Sequence, residues 1–231
     1  VVASKLWDVI VCGGGVGGAV AAERLAVKGF STLLVEKQGV PRYKACGGAV
    51  TQEFVDEFAV PEEIIERRVG CLVLHHVEHQ RLEKQGEGAC VWRAKLDAFL
   101  VQQAVAAGAE LHDQTTVLGV QKEINHFRVK TQQGTFQGRM LIAADGVTSK
   151  VLRSVGWRRF RADELAYTRT HEIKLDEKTI EQRFGDEHLH LYFGHPISRM
   201  GYGWVFPKQH TVSVGWGCQL SHITNVQAEF L

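Results

Sequence analysis

The 231-residue sequence carries almost no net charge: 27 lysines and arginines against 26 acidic residues leave +1. That balance removes the electrostatic case for binding nucleic acid. No apolar run approaches the roughly 20 residues that a bilayer-spanning helix needs. The opening stretch, VVASKLWDVIV, lacks the basic-then-apolar layout of a signal peptide and leads straight into a strand pattern. No internal repeat or low-complexity linker interrupts the chain. Cysteine is sparse: Cys12, Cys46, Cys71, Cys90 and Cys218 are odd in number, scattered, and never form a CxxC pair. Free thiols in a reducing compartment follow, so a cytoplasmic protein is expected and a structural zinc site is not. The histidines do not assemble a metal site either. His75 and His79 fall on strand patterns, where i,i+4 spacing shares no helical face. His188 and His190 share a strand face but lack a third ligand. No metal is expected. What remains is ordinary globular composition, 45% hydrophobic and 23% charged, enough for one or two cored domains.

Glycine, by contrast, is crowded into one place. Asp8 to Cys12 is a short, nearly continuous apolar run of the kind that forms a buried parallel strand. Gly13, Gly15 and Gly18 then spell GxGxxG, with Gly17 inside the motif. In such a motif the first glycine allows a tight turn, the second a close backbone approach to a pyrophosphate, and the third close helix–strand packing. Ala19, Ala22, Leu25 and Ala26 share one face of the helix that follows, and Gly29 is its stop. Ser31 to Val35 reads as a second strand ending at Glu36, 23 residues after Gly13, near the spacing at which an acid meets an adenosine ribose. Strand, glycines, helix, strand and acid arrive in order, which points to a dinucleotide; a ligand-free turn is the alternative. The acid favours NAD or FAD over NADP.

The next stretch, PRYKACGGAV from Pro41 to Val50, is a loop where a simple NAD domain would continue into another βα unit. Here the sequence resembles the FAD-dependent geranylgeranyl reductase family, a branch of the aromatic-hydroxylase-like flavoproteins. Lys44, Cys46, Gly47 and Gly48 match its Lys-x-Cys-Gly-Gly element. Arg93 to Leu100 resembles its Arg-x-x-Leu/Phe-Asp-x-x-Leu box, and Leu141 to Val151 the Ala-Asp-Gly-x-x-Ser-x-Val box. Tyr202 to Pro207, then seven residues, then Gly215-Trp216-Gly217 matches YxWxFP-x7-GxG. The matches run from Asp8 to Gly217.

The resemblance implies an α/β fold: a Rossmann-like FAD-binding domain, a parallel sheet with a β-meander, plus an antiparallel β-sheet substrate domain. The expected boundaries are 1–67 and 93–157 for the first, 68–92 and 158–231 for the second. The cofactor implied is FAD, held by Gly13, Gly15, Gly17, Gly18, Glu36, Lys37, Gly47 and Gly48. Arg93 is implied to reach the phosphates or ribityl chain, Asp145 to sit near the pyrophosphate or ribose, and Gly146 to permit a close backbone approach. Arg42 and Lys44 either sit beside the flavin or form a solvated basic loop. Asp97 could merely cap or pair within its helix, and stays outside the expected site.

The activity implied is reduction of isolated double bonds in a geranylgeranyl or polyprenyl chain, carried by a prenyl lipid or prenyl diphosphate. With one dinucleotide fingerprint, and that one taken by the flavin, the reductant would be NADPH or a ferredoxin-like donor bound without a second Rossmann domain. The substrate class brings with it peripheral membrane contact. Cys46 is either the proton donor or a small packing residue. Tyr202, Trp204 and Phe206 alternate along one strand, so their side chains share a face. With Pro207, Gly215 and Gly217 they form either a wall for the isoprenoid or an ordinary sheet core. Two other classes stay open. A flavin monooxygenase or halogenase would share the fold, although the halogenase-like aromatic strand begins with Trp and lacks Cys-Gly-Gly. A non-catalytic prenyl-lipid-binding fragment is the other, because relatives carry a Gly-Asp box after the substrate sheet. Gly185-Asp186 stands too early for it, and the chain reads as truncated part-way into a helix at Asn225 to Leu231.

Further elements follow from periodicity. Thr51 to Phe58 and Lys95 to Gly108 read as helices. Val69 to His76 reads as a strand, with HQRLEK and GACVW as partners. Ala109 to His112 begins a parallel strand. VLGVQKE, HFRVKTQ and GTFQGRMLIAAD form a meander turning at QQG. THEIKL, EQRFG, HLHLYFG, YGWVFP and TVSVGWG are all expected as strands.

Overall fold

A computed structural model describes residues 5–78, 81–185, 187–194 and 200–223. His79, Asp186 and Asn225 to Leu231 lie outside the described residues. The chain divides into two units. Val1–Tyr43 and Ala94–Arg159 form the first, Lys44–Arg93 and Phe160–Leu231 the second.

The first unit is a six-stranded sheet. β1 (Leu6–Cys12) is central, flanked in parallel by β2 (Thr32–Val35) and β9 (Thr135–Ala143), while β6 (Glu110–His112) extends β2 in parallel. β7 (Val117–Lys122) and β8 (Phe127–Thr131) complete an antiparallel meander into β9. The apolar run of β1 is explained by its place: Val9, Ile10, Val11 and Cys12 are all buried between parallel neighbours. α1 (Val16–Val27) buries Gly18, Ala19 and Ala22, small residues that let it lie close to the sheet. α3 (Arg93–Ala106) buries Leu96, Asp97, Leu100, Val101 and Ala104. α4 (Lys150–Ser154) follows β9. The parallel sheet and its meander are as the sequence predicts.

The second unit is a seven-stranded sheet in the order β10-β13-β12-β11-β4-β5-β3. Its strands are β3 (Ala49–Thr51), β4 (Ile65–His76), β5 (Arg81–Val91), β10 (Ala166–Lys174), β11 (His188–Phe193), β12 (Tyr202–Pro207) and β13 (Thr211–Gln219). α2 (Gln52–Glu57), capped by the Thr51 side chain, lies between β3 and β4. Four expectations are corrected. Residues 44–67, assigned above to the first domain, belong here, because β3 pairs with β5 through Ala49–Cys90 and Thr51–Gly88. HQRLEK and GACVW are not two strands: from Arg81 onward they are one, β5. The sheet is not wholly antiparallel, since β11 runs parallel to β4. EQRFG is not a strand but the end of α5 (Glu177–Phe184). There Asp176 accepts from the Thr179 N–H at 2.9 Å, Ile180 is buried, and Gly185 takes φ +80° at the C-terminus.

The parallel β4–β11 pairing brings two histidines together. The His75 and His190 ring nitrogens (Nε2 and Nδ1) lie 3.0 Å apart, and His190 Nε2–H donates to the Phe184 carbonyl at 2.6 Å. The Phe184 carbonyl only accepts, so His190 Nε2 carries a hydrogen; in the neutral pair His190 Nδ1 is then the acceptor and His75 Nε2–H the donor. Burial holds both below the ordinary histidine range, and each ring's nearness to other cationic groups adds to the effect. A pKa lowered on folding means that the unfolded chain binds more protons in acid. The stabilisation is present above about pH 6.5 and is lost as the pH falls through the depressed folded values. We expect the urea midpoint to fall between pH 7 and pH 5, and His190→Gln to flatten that slope; an unchanged slope in the variant would refute the pairing.

Candidate functional site

In the first unit the four motif glycines divide into two kinds. A Cβ at Gly13 would stand 2.2 Å from the Ala144 carbonyl oxygen, and one at Gly18 would stand 1.8 Å from that of Gly13. The protein's own backbone excludes a side chain at both. At Gly15 a Cβ would meet only Arg42 Nη2, at 3.3 Å, and at Gly17 nothing within 4 Å. The open side of the turn is thus bare where the fold does not require it. α1 begins there with no side-chain cap at Gly15 and no acid in its first turn. Its free N–H groups and positive dipole end suit an anion.

Glu36 ends β2 and is nearly fully buried. Its Oε2 accepts from the Gly14 N–H at 2.7 Å and its Oε1 from the Gln38 N–H at 3.0 Å. Arg42 lies beside it: Nε is 3.7 Å from Glu36 Oε2, and Nη2 is 3.1 Å from Asp97 Oδ2. Arg42 is therefore not the solvated residue of a basic loop; its side chain is only 10% exposed, and its buried Nε has no hydrogen-bond partner. Lys37 and Lys44 are exposed, and Arg93 is half-buried at the start of α3. The Asp145 carboxylate caps α4, accepting from the Lys150 N–H at 2.7 Å, the Val151 N–H at 3.2 Å and the Ser149 hydroxyl. Gly146 beside it has open space where a Cβ would stand.

In the second unit β12 presents Tyr202, Trp204 and Phe206 in a row, with successive ring centroids 6.0 and 6.2 Å apart. Gly215 and Gly217 pair with Trp204 and Tyr202 across the β12–β13 ladder. The seven-residue spacing in the motif is therefore a hairpin register that sets bare backbone opposite the rings. The row is graded in exposure: Tyr202 is 44% exposed, Phe206 half-buried and Trp204 7% exposed. Trp204 is seated on Gly215, where a Cβ would stand 2.2 Å from Cζ2, and against Gly47, where one would stand 3.0 Å from Nε1. The same Gly47 position lies 2.4 Å from Phe206 Cδ2. The Cys46-Gly47-Gly48 loop thus packs directly on the aromatic row. Trp204 Nε1 is buried without a hydrogen-bond partner, and Pro207 ends the strand, buried. Cys46 is the only one of the five cysteines that is not buried. Burial pushes the Cys12 and Cys90 thiols up to about 12.

Directly after β12 stands Lys208, 0% exposed. Its ammonium donates to the Gly47 carbonyl at 2.9 Å and to the Ser213 hydroxyl, and lies 4.4 Å from the Trp92 ring centroid. Ser213 in turn donates to Glu172 Oε2 at 2.5 Å. Burial lowers the Lys208 pKa, against the opposing pull of Glu172 and of the nearby Cys90 and Cys46.

Residues 7–225 match the family described as an FAD binding domain. The chain belongs to the family of FAD-binding domains. It is 30% identical over 229 residues to the chloroplastic geranylgeranyl diphosphate reductase of Oryza sativa subsp. japonica, covering 90% of this chain and 48% of that protein. It is 32% identical over 229 residues to the digeranylgeranylglycerophospholipid reductase of Methanosphaerula palustris, covering 91% and 55%. Among solved structures, a geranylgeranyl bacteriochlorophyll reductase-like protein from Thermoplasma acidophilum superposes with a TM-score of 0.84 at 26% identity, covering 96% of this chain and 58% of its own. Halogenase PltM superposes at 0.76 with 17% identity, covering 97% and 54%, a likeness of fold alone. The chain spans about half the length of the curated relatives it matches. The expected geranylgeranyl reductase resemblance and the expected cofactor, FAD, both agree with these findings.

The residues of this FAD-binding domain fit that cofactor: Gly17 with open space, Gly15 met only by the Arg42 side chain, an uncapped helix end, a buried carboxylate, and an Arg42 Nε that makes no hydrogen bond, all within one short stretch. Asp97, left outside the expected site, fixes Arg42. Its signal was present, since an acid stood on the apolar stripe of α3. Lys208, Ser213 and Glu172 were not anticipated. The burial of Trp204 also sets a stability prediction. Trp204→Ala should lower the unfolding free energy by about 3–5 kcal/mol, and Tyr202→Ala by no more than about 0.5 kcal/mol. Equal losses in a denaturant titration would contradict the graded burial.

Proposed function

We propose that the protein to which this chain belongs is an FAD-dependent oxidoreductase that reduces isolated C=C bonds of a geranylgeranyl or similar polyprenyl chain. The observation that carries this reading is the packing of Gly47 against Trp204 and Phe206. The Lys-x-Cys-Gly-Gly and YxWxFP elements lie far apart in sequence and meet in one place, which supports their serving one chemistry.

In this reading Gly13, Gly15, Gly17 and Gly18 cradle the pyrophosphate at the start of α1, and Glu36 takes the adenosine ribose. The Glu36 oxygens already accept two N–H bonds and retain lone pairs for ribose hydroxyls. Arg42, oriented by Asp97, offers its unpartnered Nε to the cofactor. The family resemblance is the ground for assigning Lys37, Asp145 and Gly146 of the first unit, and Lys44, Gly47, Gly48 and Arg93 of the second, to the cofactor as well. When bound, reduced FAD supplies the hydride. The second hydrogen of the saturated product is a proton, and Cys46 gives it from its thiol to the alkene carbon, leaving a thiolate to be reprotonated from solvent. Tyr202, Trp204, Phe206, Pro207, Gly215 and Gly217 receive the isoprenoid. Tyr202, the most exposed ring of the row, makes first contact. The reductant would be NADPH, as a two-electron donor, or two equivalents of a one-electron ferredoxin-like donor. The thiols suit a cytoplasmic setting, and a prenyl lipid would be met at the membrane surface. Among the described residues no helix is long and apolar enough to cross a membrane.

Two outcomes test the reading. Gly15→Ala should cost the flavin-free protein no more than about 1 kcal/mol, as an alanine N-cap does, and weaken FAD binding at least about tenfold, close to 1.4 kcal/mol, by equilibrium titration; unaltered affinity would remove Gly15 from the cradle. In the full-length protein, Cys46→Ala should keep FAD bound and slow alkene reduction about 100-fold. Undiminished turnover would return Cys46 to a packing role, and an oxygen-dependent hydroxylated or halogenated product would replace the reductase reading altogether.

A further inference from the structure

A lysine with no exposed surface is an uncommon choice. At the turn of the β12–β13 hairpin a methionine would fill comparable space without burying a charge. What an ammonium adds is donors. Lys208 directs them at Gly47, at Ser213 and at the Trp92 ring face. Glu172 answers the charge through Ser213. The hairpin itself is closed by the Lys208 N–H to Thr211 carbonyl bond at 2.7 Å, so the ammonium is held from a stiff base.

The far end of this arrangement is a loop without helix or strand of its own. Gly47 and Gly48 are buried, and a buried carbonyl needs a donor. The Gly48 carbonyl takes the Val91 N–H at 2.8 Å, and the Gly47 carbonyl takes Lys208. Gly47 can lie this close to Phe206 and Trp204 only without a side chain. The spacing between Cys46 and the aromatic row is therefore set by two contacts, one of them the ammonium. We infer that Lys208 is a positioning residue. Anchored by Ser213 and Glu172, it clamps the Cys46-Gly47-Gly48 loop to the aromatic row by holding the Gly47 carbonyl. Its consequence for turnover rests on the reductase reading, since a proton donor must be held at a fixed distance from the bound chain.

The clamp is testable without turnover, because Cys46 is the only cysteine not buried. In the full-length protein, Lys208→Met should raise the iodoacetamide alkylation rate of Cys46, followed by mass spectrometry, about tenfold. It should speed hydrogen exchange at the Val91 amide by a similar factor and leave the β12–β13 amides unchanged. In the same variant kcat for alkene reduction should fall at least tenfold, with KM within twofold. A variant with a lowered melting temperature but wild-type alkylation and Val91 exchange would overturn the clamp. If Lys208→Met does not fold, Ser213→Ala carries the test: it leaves Gly47 in reach of an ammonium cut off from Glu172, and both rates should rise two- to fivefold; unchanged rates overturn the proposal. A loosened loop in a protein whose wild-type form reduces no alkene would uphold the clamp and overturn the reductase reading.

Discussion

The turn from β1 into α1 exists because two backbones pass closer than any side chain allows. Gly13 lies against the Ala144 carbonyl, and Gly18 against Gly13. These contacts bring the ends of β1 and β9 and the start of α1 to one point. The Ala144 N–H bond to Cys12 and the Gly13 N–H bond to Val35 tie the same point to both flanking strands. The remaining features of the first unit hang from it. Glu36 reaches the turn because β2 ends there, and Arg42 reaches Glu36 because Asp97 holds it from α3.

The second unit obeys the same rule with aromatic rings in place of backbone. Trp204 occupies the volume that a side chain at Gly215 would need, and Phe206, with Trp204 beside it, the volume at Gly47. The motif glycines of the two units therefore do different work. In the first, Gly13 and Gly18 let the protein's own backbones touch, and Gly15 and Gly17 leave the outer side of the turn without side chains. In the second, they make room for the protein's own indole, so the exposed end of the row passes to Tyr202. The aromatic row is thus part core and part surface, buried at Trp204 and exposed at Tyr202.

Much of this was legible in the sequence where burial is periodic. β1, α1, β2 and the β7–β9 meander carry continuous or alternating apolar patterns, because each is buried on a defined face. α5 was missed because EKTIEQRF carries only two apolar residues, Ile180 and Phe184, and buries only the first. Its signals were the Asp176 cap and the Gly185 stop. β3 escaped because three residues are too few for a pattern, and its pairing with β5 moves residues 44–67 into the second unit. Asp97 was visible as an acid on an apolar stripe. Lys208 was not visible at all: a lysine reads as solvated by default, and its acceptor at Gly47 is 161 residues away along the chain.

The parallel pairing of β4 with β11 has a consequence for how the protein is made. Both units are built from two stretches of chain; in this sequence the second stretch of the first ends at Arg159, and β4 gains β11 only once residues 188–193 exist. On the ribosome β4 and β5 can meet early as a hairpin. The other edge of β4, from Cys71 to His76, then stays open while the whole return half of the first unit is synthesised, on the order of ten seconds at ordinary elongation rates. An unpaired edge of that length is a template for the wrong strand. The risk in this topology therefore falls during synthesis, before β11 covers the β4 edge.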